Sequence, residues 1–376
     1  MSRRIRVLVV DDSVVVRRLV DKVLSADPAI EVVGTAANGK VALAKIAQVN
    51  PDLVTLDVEM PVMDGLETLR QLRVDHPRLP VVMFSTLTER GAAATLDALE
   101  LGANDYVTKP ANVGSVTASM EAVREQLVPK IRSLCRMVAA PAVPTAPTAR
   151  ITPAETPVAR PPARVTDRRI DVVAIGSSTG GPDALTTVLS ALPGDLPVPV
   201  VIVQHMPPVF TRQFAERLDA KVPLHVSEAT AGAPVRAGGV LIAPGDFHMR
   251  FRRTAEQRSV VATLDQGTPE NYCRPAVDVM LRSVVDIWGG NVLSVVLTGM
   301  GSDGARGCAE IAERGGSLLV QDEATSVVWG MPGAVVSSGL NPDVMPLGRI
   351  GPEIVQRVRR SHSPSHPPIL REASLS

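Results

Sequence analysis

The chain has 376 residues, 45% of them apolar and 21% charged, which is room for two ordinary globular domains. Its 39 basic residues balance its 39 acidic ones, so no net field draws it to nucleic acid or an anionic membrane, and aromatics at 2% leave few rings for stacking bases. Three cysteines, Cys135, Cys273 and Cys308, give neither a disulfide framework nor a metal-type spacing, which fits a reducing compartment.

The chain opens with a short basic stretch and an apolar run, but Asp11 and Asp12 stop that run too early for a signal peptide. No apolar stretch reaches membrane-spanning length, so a cytoplasmic protein without membrane insertion is expected. Apolar runs then alternate with helical patterns. Strands are predicted at 5–10, 31–36, 53–57, 81–85 and 105–107, and helices near 14–26, 40–49, 66–74, 90–101 and 113–135. Five strand–helix units imply a parallel sheet covered on both faces. From Val138 to Thr166 seven prolines and few large apolar residues make a core impossible, so this is a linker. A second α/β pattern follows. Its strands are predicted at 171–175, 199–203, 240–243, 291–297 and 317–320, and its helices at 182–192, 210–222, 276–288 and 305–314, with an antiparallel excursion between 240 and 264. The Pro- and Ser-rich end reads as a flexible tail. The expected domains are 1–135, a linker 136–167, 168–358, and a tail 359–376.

In open parallel sheets, sites form beyond the carboxyl ends of the strands. In the first half those ends carry Asp11 and Asp12, Asp57, Ser85 and Lys109. Carboxylates converging on one edge repel each other unless a hard cation sits among them, and Mg²⁺ suits such oxygen ligands. A carboxylate there can accept a phosphoryl group, with Lys109 offsetting charge and the Ser85 hydroxyl binding the product. DLVTLDVEMPVMDG around Asp57 and YVTKP around Lys109 resemble the receiver domain of two-component response regulators, over about residues 4–130. The resemblance implies phosphorylation of Asp57 by a histidine kinase. It also implies Mg²⁺ held by Asp12, Asp57 and the backbone carbonyl of Glu59, with Asp11 in support.

In the second half, DVVAIGSSTGG runs a strand through Gly176-x-Ser178-x-Gly180 into a helix opened by Pro182. That spacing fits a nucleophile elbow, where glycines allow the sharp turn and the serine stands at a helix N-terminus. The Gly-Lys-Ser/Thr ending of a P-loop and the G-x-G-x-x-G spacing are both missing. A serine hydroxyl needs a base. Of six histidines, His205 ends the next strand and falls on the same sheet edge. His225 and His248 begin strands and read as surface or packing residues, His76 lies in the first half, and His362 and His366 lie in the tail. Asp303, on the Gly-rich loop of LTGMGSDGA, supplies a carboxylate to orient the imidazole; its alternative is to cap the helix that follows. The Met300 N–H is a candidate oxyanion donor. The order Ser…His…Asp is not that of the α/β-hydrolase fold.

GSSTGG, QHMP, NYCRPAVDVMLRS and LTGMGSDGA resemble the catalytic domain of the chemotaxis response-regulator methylesterases, the CheB family, over about 168–355. By position Ser178, His205 and Asp303 match the family's triad, flanked by Thr179 and Met300. The resemblance implies a (βα)5 receiver followed by a doubly wound, mainly parallel hydrolase domain. It implies hydrolysis of glutamyl methyl esters on chemoreceptors with release of methanol, glutamine deamidation, a phosphodonor kinase of the CheA type, and an esterase step with no cofactor of its own. A receiver-gated general carboxylesterase and a non-enzymatic docking module are the alternatives. A transcription factor lacks a basic helix-turn-helix stretch.

Overall fold

The computed structural model describes residues 3–110, 116–138, 168–256 and 259–363. The predicted linker from 139 to 167, the tail from 364 and the predicted helix start at 113 lie outside the described residues. The first half runs β1 (Ile5–Val10), α1 (Val14–Ser25), β2 (Ile30–Ala36), α2 (Gly39–Val49), β3 (Leu53–Asp57), α3 (Gly65–Asp75), β4 (Val81–Ser85), α4 (Glu89–Glu100), β5 (Asp105–Thr108) and α5 (Val116–Val138). Its sheet has the order β2-β1-β3-β4-β5, with every neighbouring pair parallel. Helices on both faces bury β3 and β4 at every residue, which is why both read as mainly apolar runs. Ser13, Asn38, Asp64 and Thr88 start four helices by accepting a backbone N–H, and Asp64 with Glu67 completes a capping box.

The second half runs β6 (Val172–Ser177), α6 (Gly181–Ser190), β7 (Val200–Gln204), α7 (Phe210–Lys221), β8 (His225–Glu228), β9 (Gly239–Ile242), β10 (His248–Arg253), β11 (Val260–Asp265), α8 (Val277–Trp288), β12 (Val292–Val296), α9 (Ala305–Glu313), β13 (Ser317–Gln321), α10 (Met331–Ser337), β14 (Asp343–Met345) and α11 (Leu347–His362). Seven strands form one all-parallel sheet in the order β14-β13-β12-β6-β7-β9-β8. The antiparallel excursion is narrower than the pattern suggested: β10 and β11 pair with each other, while β9 joins the main sheet beside β7. The sequence did not signal β14, α10 and α11. Three- and seven-residue elements carry little periodicity, and Pro352 interrupts the last helix. That helix still buries Ile350, Ile354 and Val358 at four-residue spacing and runs four residues into the predicted tail.

The two halves pack together through α4 and α7. Arg217 bridges Asp97 (2.6 Å) and donates to the Ala93 carbonyl (2.8 Å). Arg212 meets Glu89 at 2.6 Å and Lys221 meets Glu100 at 2.7 Å. Beside this polar strip the Tyr106 and Phe210 rings stack, with centroids 4.7 Å apart and planes within 3°.

Candidate active site

Strand β6 lies between β12 and β7; the chain leaves β6 toward β7 and leaves β12 the other way toward β13, so the crevice beyond the carboxyl ends of β6 and β12 is the sheet's switch point. Three segments meet there: Ser177–Gly181 after β6, His205 after β7, and 297–304 after β12. The serine turn is held from several sides. The Ser178 N–H donates to the Thr298 carbonyl (3.0 Å), and the Ser178 carbonyl accepts from Gly181 (2.8 Å) and from Gln204 Nε2 (2.9 Å). Gly180 has φ of 74°, a left-handed conformation that favours glycine. A Cβ on Gly181 would sit 1.9 Å from Gln204 Oε1, the atom that accepts from the buried Ser177 hydroxyl. Gly181→Ala is therefore expected to cost about 1–3 kcal/mol, and to lower the melting temperature by roughly 2–10 °C. A melting curve matching that of the parent would refute this reading of the turn.

The turn separates two neighbouring serines. Ser177 is fully buried and bonded to Gln204, whereas Ser178 is half-buried and lines a pocket with Thr179, Gly180, Gln204 and His205. Among the described residues the Ser178 hydroxyl bonds to no other group, and the backbone N–H groups of Thr179 and Met300 meet no acceptor. The His205 backbone is pinned to the Ser177 carbonyl, and its Nε2 lies 2.8 Å from Asp303 Oδ2. The other ring nitrogen, Nδ1, faces Cys273 Sγ at 3.6 Å. So the fold joins His205 to Asp303 and puts Ser178 in the same pocket, but Nδ1 meets the thiol rather than the hydroxyl.

Asp303 is buried and densely satisfied. It accepts from the backbone N–H groups of Val277 (2.7 Å) and Asp278 (3.0 Å) and from Asn271 Nδ2 (2.9 Å). It thus serves the N-terminus of α8; the N-cap position of the helix after it is Gly304, which has no side-chain cap bond, and the Gly307 N–H of that helix is accepted by Asp278 Oδ1 at 2.8 Å. Burial alone would raise the Asp303 pKa, but the bond from His205 and these N–H groups hold it below the ordinary carboxylate range. Burial would lower the His205 pKa, but the neighbouring Cys273 sulfur and the Asp303 carboxylate push it up. The sequence reading assigned no part to Gln204, Asn271, Cys273 or Asp278. Asn271 and Cys273 lie in the quoted NYCRPAVDVMLRS stretch, but nothing local reveals what faces them.

At the first sheet's edge Lys109 Nζ lies 2.9 Å from Asp11 and 2.8 Å from Asp57. Asp11 and Asp57 are buried and Asp12 is exposed, and one carboxylate oxygen from each falls within 4.8 Å of the others. Burial and the neighbouring Asp11 charge raise the Asp57 pKa to about 6 despite Lys109. Lys109 is the one cation paired with Asp11 Oδ2 and Asp57 Oδ2 among the described residues, and with Asp12 beside them three carboxylates face a single ammonium, a donor set of hard oxygens that fits an additional divalent cation. The Glu59 N–H reaches Asp57 Oδ1 at 3.4 Å, and Ser85 Oγ donates to the Gly91 carbonyl (3.1 Å).

The pocket holding Ser178 and His205 is also lined by Leu99, Asp105, Tyr106 and Lys130 from the first domain. The Thr179 hydroxyl donates across the boundary to Asp105 Oδ2 at 2.5 Å, and Lys130 pairs with the same carboxylate at 2.6 Å. Thr179 is thereby fixed at the pocket's wall, and Met300 packs against a cluster that joins the first domain's core to Val328.

Two family models match the chain: the response regulator receiver domain over residues 7–121, and CheB methylesterase over 173–354. A protein-glutamate methylesterase/protein-glutamine glutaminase of Nocardioides sp. is 57% identical over 95% of this chain and 96% of its own. One from Trichodesmium erythraeum is 50% identical over 94% and 99%. The crystal structure of the Thermotoga maritima CheB methylesterase catalytic domain is 41% identical, covers 50% of this chain and 98% of that one, and has a TM-score of 0.48. Among the described residues no helix is long and apolar enough to cross a membrane.

Proposed function

The chain belongs to the CheB methylesterase family, with a receiver domain before the catalytic domain, and we propose that it is a cytoplasmic, phosphorylation-activated enzyme that hydrolyses glutamyl methyl esters and deamidates glutamines on chemoreceptors. The observation that carries this reading is the His205–Asp303 pair beside the Ser178 turn, at the ends of three adjacent strands within the methylesterase match. The receiver is assigned to 1–135 and the catalytic domain to 168–358, extended by the end of α11 to His362.

In the proposed reaction Ser178 Oγ attacks the ester carbonyl. With Nε2–H held by Asp303, Nδ1 is the nitrogen that takes the serine proton, so the ring first gives up its contact with Cys273. The Thr179 and Met300 N–H groups stabilise the oxyanion. Methanol leaves with the proton from Nδ1, and His205 then activates water to release the glutamate. Asp303 fixes the ring's tautomer throughout.

In the receiver, Asp12, Asp57 and the Glu59 backbone carbonyl would hold Mg²⁺, supported by Asp11. Bound there, it would offset negative charge as Asp57 accepts a phosphoryl group from a histidine kinase. Lys109 faces the Asp57 carboxylate, and Ser85 would turn from Gly91 toward the phosphate. Phosphodonor labelling of the full chain is expected to need Mg²⁺, to stop on chelation, and to vanish in Asp57→Asn. Undiminished labelling of that variant would remove Asp57 from the role.

The deciding experiment measures methanol release from methylated receptor, with and without phosphodonor, for the parent and Asp57→Asn. Stimulation of the parent alone supports the reading. Equal turnover of unrelated small esters would favour a general carboxylesterase, and no release under any condition would favour a docking module.

A further inference from the structure

Cys273 is the only one of the three cysteines that is not buried; burial pushes the thiols of Cys135 and Cys308 up to about 12. A tight turn presents it. Glu270 and Cys273 exchange backbone hydrogen bonds at 3.1 and 2.9 Å, and the two residues between them, Asn271 (φ 52°) and Tyr272 (φ 63°), both adopt left-handed conformations. Non-glycine residues held there in succession store strain of a kind concentrated at functional sites. Asn271 is anchored below by bonds to Asp278 and Asp303.

This turn holds a sulfur 3.6 Å from the Nδ1 of His205. A tetrahedral zinc with Zn–S of about 2.3 Å and Zn–N of about 2.0 Å keeps those two ligand atoms about 3.5 Å apart. Metal-binding histidines characteristically give their second ring nitrogen to a carboxylate, and His205 Nε2 sits 2.8 Å from Asp303 Oδ2. Sulfur, ring nitrogen and carboxylate oxygen all fall within 4.8 Å of one another. The donor set is soft where the Asp11–Asp12–Asp57 set is all oxygen, so the two sites select different ions.

We propose that Cys273 Sγ and His205 Nδ1 chelate a thiophilic divalent cation such as Zn²⁺, with Asp303 orienting the imidazole, and that the bound ion shuts off the esterase. Inhibition rests on the catalytic reading above, because the ion takes the nitrogen that Ser178 needs. Binding does not rest on it. The thiol proton is released as the metal–sulfur bond forms, and no electron is transferred.

The test uses the full chain in excess Mg²⁺, so that the receiver site is satisfied. Co²⁺ is added first as a spectroscopic probe, and one equivalent is expected to give a thiolate-to-cobalt charge-transfer band. One equivalent of Zn²⁺ should remove that band, protect Cys273 from alkylation by iodoacetamide, and lower methanol release at least 10-fold until a chelator is added. Cys273→Ser should lose the band and need roughly 100-fold more Zn²⁺ for half-inhibition, relative to its own metal-free rate. Zinc inhibition unchanged in Cys273→Ser, or inhibition with neither a band nor alkylation protection in the parent, overturns the proposal. The band and the protection are read on the parent, so they hold even where the variant folds poorly. A chain that shows both but never releases methanol keeps the metal site and loses the esterase reading.

Discussion

Ser178→Ala is expected to lower methanol release by a factor on the order of 10⁴–10⁶, and His205→Ala to lower it to a similar extent. The effects should not add, because in the proposed reaction hydroxyl and imidazole act as one unit and removing either would leave only binding and oxyanion stabilisation. The neighbouring serine provides the control. Ser177 is one residue away, but its hydroxyl is buried and committed to Gln204 Oε1 at 2.7 Å. Ser177→Ala should lose that bond, at a cost of about 1 kcal/mol or somewhat more with Gln204 left unpaired, and keep turnover within a few-fold of the parent. The measurement is methanol release by purified variants whose melting curves establish folding. Turnover lost in Ser177→Ala and kept in Ser178→Ala would move the nucleophile by one position and invalidate the elbow. Asp303→Asn has a mixed expectation. It should favour the wrong tautomer, with a loss of about 10⁴-fold by analogy with the template triad, and also weaken the N-terminus of α8.

The second large effect is a gain. Receiver residues Leu99, Asp105, Tyr106 and Lys130 line the pocket of Ser178 and His205, so parting the domains is expected to open that serine to a receptor helix. Arg217→Glu is the cleanest way to part them. Arg217 lies between Asp97 and Glu100 of α4, and reversing its charge sets three carboxylates against one another. A penalty of about 2 kcal/mol on the closed form shifts the open population about 30-fold, so basal turnover without phosphodonor should rise roughly 10- to 100-fold. Further stimulation by phosphodonor should shrink to match, since the open form is already populated. Because Arg217 lies on the surface of α7, the catalytic domain itself should melt as the parent does. Basal turnover that does not rise, in a variant whose domains have separated by small-angle scattering, would mean that the receiver does not gate the serine.

Most of the framework was legible in the chain because it is encoded locally. Alternating apolar runs and amphipathic stretches report burial, and fully buried parallel strands such as β3, β6 and β7 are mainly apolar segments. Gly176-x-Ser178-x-Gly180 announced its turn because few residues tolerate that backbone, and strand-end positions put Asp11, Asp57, Ser178 and His205 on predictable edges. Where local signal was thin the reading fell short. The short edge strand β14, the seven-residue α10 and the proline-interrupted α11 depend on contacts with the sheet rather than on their own pattern.

Tertiary packing alone decided the rest. Asp303, read as the carboxylate beside the imidazole with a cap for the following helix as the alternative, faces His205 and also serves α8, which begins 26 residues earlier. Thr179 reaches Asp105 across 74 residues, and the Cys273 thiol faces the imidazole across 68. Which ring nitrogen of His205 is engaged is likewise set by where Asp303 and the 270–273 turn come to rest. The sequence by itself settled which residues stand at the ends of strands, since side-chain periodicity and turn chemistry act over a few residues. Which loop groups meet across that edge depends on the order in which strands lie side by side and on how helices pack between them, and those are properties of the whole sheet.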